Sequence, residues 1–194
     1  MEEGIREAIR ECCQNMLYPP IKNIGLAGIE KWADLIIKWP QQFKGINLYG
    51  TLSNGFMYIE ISGTAGSGFR TMYARFLDES SSIINEPALQ EVAEMMRQSA
   101  KVWSEIAAGL MPDSWPTPGR ARGLMLQKNA VFEEQEPGAL EAMLKINREL
   151  DELMTPAIGD LQKPPDFLGD VRRDILRCRE VERKAFETLS HIVG

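Results

Sequence analysis

The sequence predicts a mainly α-helical fold, an irregular bundle of about six helices with one small β-hairpin or extended segment near residues 47–62. Three observations carry that expectation. Apolar residues recur at spacings of three and four over most of the chain. Prolines gather between the periodic stretches, where they end or start helices. One run, INLYGTLSNGFMYIEIS ending at Ser62, breaks the pattern with β-branched and aromatic residues around Asn54-Gly55, a strong short hairpin signal. At 194 residues and 44% hydrophobic content, a single domain over residues 1–194 is expected, long enough to bury roughly 70% of its unfolded surface.

Element by element, Ile5, Ala8, Ile9, Cys12, Cys13, Met16 and Leu17 form the stripe of a first helix that Tyr18-Pro19-Pro20 must end. A second helix spans about 23–39, with Leu26, Ile29, Trp32, Ala33 and Ile36 inward and Pro40 closing it. After the expected hairpin, a glycine-rich stretch leads into a helix holding Phe69, Met72, Tyr73, Phe76, Leu77, Ile83 and Ile84 at helical spacing. Pro87 suits the first turn of the next, whose Leu89, Val92, Met96, Trp103, Ile106 and Leu110 point inward. Residues 111–138 hold four of the eleven prolines and predict a long irregular connection, with one short helix in ARGLMLQKNAVF. Leu140, Met143, Leu144 and Leu150 mark a helix that the 156–165 stretch separates from the last one. There Leu168, Val171, Ile175, Cys178, Ala185, Leu189 and Ile192 keep the period, interrupted by Glu182.

Charge and cysteine usage narrow the function classes. With 22 basic against 28 acidic residues and a formal charge of −6, no nucleic-acid partner is expected. No window approaches a membrane-spanning length, so no membrane partner is expected either. Cys12, Cys13 and Cys178 have neither disulfide-framework nor zinc-ligand spacing, which fits a reducing, cytoplasmic setting with no metal and no cofactor. Lying on apolar stripes, they read as core residues, and His191 is the chain's one histidine, a poor supply of base for a nucleophile.

The stretch ISGTAGSGFRT imitates a phosphate loop. Gly63 to Gly68 fills the first six positions of G-x-x-x-x-G-K-[ST], but Phe69 stands where a lysine must reach the phosphates and Arg70 where a hydroxyl must bind magnesium. Two readings stay open. The glycines permit a tight approach of the preceding segment to a helix start, or the backbone of Gly63, Thr64, Gly66, Ser67 and Gly68, helped by Arg70, holds a small anion.

Glu182 in an apolar seam needs a partner, with Arg179 or Arg183 nearest; a rotated seam with Val181 inward and Glu182 in water is the simpler expectation. Arg172, Arg177 and Arg183 crowd the last helix, and Arg120, Arg122 and Lys128 the irregular connection. Either group suits an acidic partner, although the helical set also alternates with carboxylates as an ion-paired exposed face does.

The runs GIEKWADLIIKWP (28–40), IEISGTAGSGFRTMYARFLDES (59–80) and KVWSEIA (101–107) resemble the C-terminal region of proteins similar to butirosin biosynthesis protein H. That resemblance implies a helical part following a cysteine-peptidase-related part that carries the nucleophile. The butirosin member moves an acyl group from a carrier protein's thioester to an aminoglycoside amine. By this likeness the chain is the non-catalytic, substrate-binding or carrier-docking half of a cysteine acyltransferase or amidase of secondary metabolism. Its partners would be a cysteine-peptidase-like catalytic domain or an acyl carrier protein docking on Arg172, Arg177 and Arg183. No catalytic residue carries over to the three cysteines. The alternative is a stand-alone helical ligand-binding or homo-oligomerisation module with no enzymatic activity.

Overall fold

The structure, a computed structural model, describes residues 1–62, 66–161 and 167–194. Among the described residues the chain forms nine α-helices and one π-helical segment, with no strand. The helical class expected from periodicity therefore holds, whereas the hairpin does not.

Helix α1 (Glu2–Leu17) buries Ile9 and Cys13 and stops at Tyr18, ahead of the Pro-Pro pair, as expected. Helix α2 (Gly25–Ile36) buries Leu26, Ile29, Ala33 and Ile36. Pro40 does not close it. That proline lies in the first turn of a short helix, α3 (Trp39–Gln42), where a missing N–H leaves no hydrogen bond unmade.

The segment expected as a hairpin is α4 (Ile46–Phe56), which runs on into a π-helical turn at Met57–Ile61. Leu48, Tyr49, Leu52, Phe56 and Ile59 all point into the core, a helical stripe that outweighs the β-branched composition. Asn54-Gly55 makes no turn: a Cβ on Gly55 would stand 2.9 Å from the Leu110 side chain, so the glycine answers to close helix packing.

Helix α5 (Ser67–Ile83) buries Ala74, Leu77, Ser80 and Ser81, while the expected inward residues Phe69 and Met72 are exposed. Helix α6 (Ala88–Leu110) follows Pro87 and buries all six of its expected core residues. The irregular connection is in fact largely α7 (Pro116–Glu134), with Pro116 and Pro118 confined to its first turn, where prolines fit. Arg122 reaches back from α7 to the Ala108 and Met111 carbonyls, both at 3.2 Å, and so caps the end of α6. Helix α8 (Ala139–Asp160) continues through Pro156, later than the break expected there. The last helix is α9 (Leu168–Val193).

Helices α6 and α9 pack against each other as a central pair and pass through two apolar clusters. One is built with α2, α4, α7 and α8 around Ile36, Phe56, Ile106 and Ile175. The other is built with α1 and α5 around Ile9, Leu77, Leu89 and Leu189. On α6 the clusters change over between Met96 and Val102, and on α9 between Cys178 and Ala185. Ser99 and Glu182 occupy that boundary.

Candidate functional site

Glu182 is 0% exposed, on the apolar stripe of α9. A carboxylate there persists only where neighbours replace its water. Arg70, in the first turn of α5, donates from Nε to Oε1 at 2.8 Å and from Nη2 to Oε2 at 3.2 Å. Helix α6 adds Ser99 Oγ at 2.6 Å and Trp103 Nε1 at 2.8 Å, both donating to Oε1. The Arg70 guanidinium also lies 4.6 Å from the centre of the Trp103 ring, which stacks on Trp32 at 5.9 Å. Burial alone would drive the carboxyl up in pKa; the Arg70 charge and the hydrogen bonds from Arg70, Ser99 and Trp103 outweigh it and hold Glu182 below the usual glutamate value.

This corrects the solvated Glu182 expected from the seam. The local candidates are engaged elsewhere, Arg179 with Glu30 at 3.0 Å and Arg183 with Glu180 and Glu187 at 2.6 Å each. The actual partner lies 112 residues earlier in the chain, beyond the reach of any local spacing.

Beside the ion pair, α1, α5, α6 and α9 enclose a recess of about 390 Å³. Met16, Phe69, Tyr73, Met96 and Phe186 give it apolar walls, and Cys12, Asn15 and Arg70 complete the lining. The Tyr73 ring stacks with Phe76 at 5.7 Å and with Phe186 at 6.0 Å, which fixes its position. Its hydroxyl is buried beside the Cys12 and Cys13 thiols. Other recesses lie elsewhere on the described residues, two of them of similar size. One, more open and of about 510 Å³, lies between α5 and α6 at Ser67, Thr71, Lys101 and Ser104. The other, of about 310 Å³, lies against α7 and α8 at Met125, Phe132 and Met143.

Of the loop residues expected to hold an anion, Gly63 and Thr64 lie outside the described residues. Gly66 precedes α5, and a Cβ on it would stand 1.9 Å from the Ile59 carbonyl oxygen, a contact only glycine permits. Close approach is thus its role, although it approaches a π-helical turn and not a strand. Ser67 Oγ is 3.5 Å from Glu60, which also accepts from Ser104 at 2.9 Å, so the chain brings its own carboxylate to the start of α5. Gly68 is exposed in the first turn, and Arg70 turns to Glu182. The three arginines expected to dock a partner all have carboxylates of the same chain beside them: Arg172 meets Asp34 at 3.2 Å, Arg177 meets Glu105 and Asp174, and Arg183 meets Glu180 and Glu187.

The cysteines are poor nucleophiles. Burial pushes the Cys12 thiol up, the Cys13 thiol up to about 11, and the Cys178 thiol up to about 12, the last reinforced by the Glu182 charge. His191 is exposed, with Nδ1 2.6 Å from the Glu187 carbonyl of its own helix. Among the described residues no cluster of three metal-ligating side chains occurs, and no helix is long and apolar enough to cross a membrane.

The recess had no readable signal in the sequence. Tyr73 sits on an ordinary helical stripe, and the other walls come from residues as far apart as 12 and 186.

Comparison with known families matches residues 1–136 of the 194 to a model described as a domain of unknown function, DUF4872. The match takes in α1 to α6 and α7 through its last residues, and leaves α8 and α9 outside. No curated protein and no solved structure matches.

Proposed function

This chain belongs to the DUF4872 family, and we propose that it is a non-catalytic binding module whose ligand occupies the recess between α1, α5, α6 and α9. The observation that carries the reading is that recess itself: a space of about 390 Å³ with apolar walls drawn from four helices. The thiols support the non-catalytic half of the reading. Cys12 alone among them lines the recess, and burial holds its proton on at neutral pH. A thiol-dependent reaction would therefore draw its nucleophile from a partner, which on the resemblance of residues 59–80 would be of cysteine-peptidase type.

Intact-protein mass spectrometry after incubation with an acylated pantetheine tests the non-catalytic claim. The expected spectrum shows the unmodified mass. An acyl adduct localised to Cys12, Cys13 or Cys178 would assign the nucleophile to this chain and overturn it.

A further inference from the structure

We infer that the α7–α8 hairpin is the contact surface of a symmetric dimer, in which Leu140 of each copy enters the recess of about 310 Å³ on the other and Glu141 of each copy meets the other's Lys128. This surface lies apart from the recess between α1, α5, α6 and α9 and goes beyond the binding reading above.

The hairpin shows more apolar surface than two helices facing water need. Phe132 is 62% exposed, Leu140 69% and Leu144 48%, and Met57 adds to them from the π-helical turn. Exposed apolar side chains gathered in this way mark a contact site. The recess is walled by Met57 and Ile61 of the π-helical turn, Met125 and Phe132 of α7, and Met143 and Leu150 of α8. Three of these six are methionines, whose flexible side chains reshape around an inserted group.

Charge identifies the group that enters. Lys128 is the one charged residue in the lining, half-buried, and it forms no ion pair among the described residues. The end of the hairpin carries the opposite sign. Glu133, Glu134, Glu136 and Glu141 lie at or within one turn of it, around Leu140 in the sequence, and all four are exposed and without an ion pair among the described residues. One chain therefore holds both an apolar recess with an unanswered cation and an apolar knob among unanswered carboxylates. Such a surface complements itself, and a two-fold axis satisfies both halves at once.

The register agrees. Joined through residues 135–138 and tied by Arg120 and Glu149 at 3.1 Å, α7 and α8 run antiparallel. Leu140 lies one turn nearer the hairpin's end than Met143, which lines the recess. A two-fold axis across that turn, with the two α8 helices antiparallel, exchanges the leucines between the two recesses and sets each Glu141 at the level of the other copy's Lys128.

Sedimentation equilibrium of the full chain over a range of concentrations, at low and at high salt, tests the pairing. The wild-type protein should sediment as a dimer whose Kd rises with salt. Leu140→Gln should raise that Kd by about a hundredfold or more, because two leucines leave the interface together, and should keep its far-UV spectrum because Leu140 is exposed. Lys128→Glu and Glu141→Lys should each weaken the dimer by about tenfold by setting like charges face to face. The double variant restores the pair across the axis and should return close to the wild-type Kd. A wild-type chain that stays monomeric throughout overturns the inference and leaves this face to a different protein. A dimer that survives Leu140→Gln, or a double variant no tighter than the single ones, overturns it as well. None of these substitutions touches the recess between α1, α5, α6 and α9, so the binding reading stands or falls separately.

Discussion

Arg70 and Glu182 are the residues on which the centre of the molecule turns. Truncating Arg70 to alanine leaves a buried carboxylate without its counter-charge, and the expected loss is about 3–5 kcal/mol by urea unfolding. Replacing both partners by methionine should recover most of that loss, since two apolar side chains leave no charge to compensate. A double variant as unstable as Arg70→Ala would show that the packing of Arg70 over Trp103, and not charge, dominates. The same pair sets an acid limit. Because Glu182 titrates lower folded than unfolded, its contribution is complete above the ordinary glutamate pKa of about 4.3 and is lost as pH falls through the lower folded value. The urea midpoint of the wild-type protein should therefore drop on acidification below that range more steeply than that of Glu182→Gln. In the sequence, Glu182 was visible as an interruption of a seam, but its partner was not, because the pairing is made by the packing of α5 against α9 and leaves no periodic trace.

At the scale of elements, glycines separate packing from flexibility. Gly66→Ala forces a Cβ to 1.9 Å from the Ile59 carbonyl, and backbone cannot yield as a side chain does, so a loss of about 1–3 kcal/mol or more is expected. Gly123→Ala, on an exposed position of α7 with no atom near its Cβ, should instead gain about 0.5–1 kcal/mol from helix propensity. Melting temperatures that move together in the two variants would contradict the structural distinction. Helices with clean amphipathic stripes, α1, α6 and α9, were legible in the sequence almost to their ends. Helix α4 was not, because Asn54-Gly55 has the local chemistry of a turn and only its contact with Leu110 explains the glycine. Helix α7 was hidden by Pro116 and Pro118, residues that break a helix interior but are harmless in its first turn.

Across the whole molecule, two apolar clusters meet at the Arg70–Glu182 centre, and the recess opens beside it on the side of α1 and α5. The glycine-rich stretch that drew attention in the sequence serves this arrangement, since it ends where α5 must start for Arg70 to reach α9. The site is thus a product of how four helices assemble, which is why helical class was readable and the binding surface was not. The central claim is that this assembly exists to bind. Nitrogen-edited NMR of the protein against a mixture of small apolar compounds tests it most directly. The account predicts saturable shifts centred on Cys12, Phe69, Tyr73 and Phe186, removed by Asn15→Trp; shifts centred instead on Met125 and Phe132 between α7 and α8, or none at the recess, would contradict it.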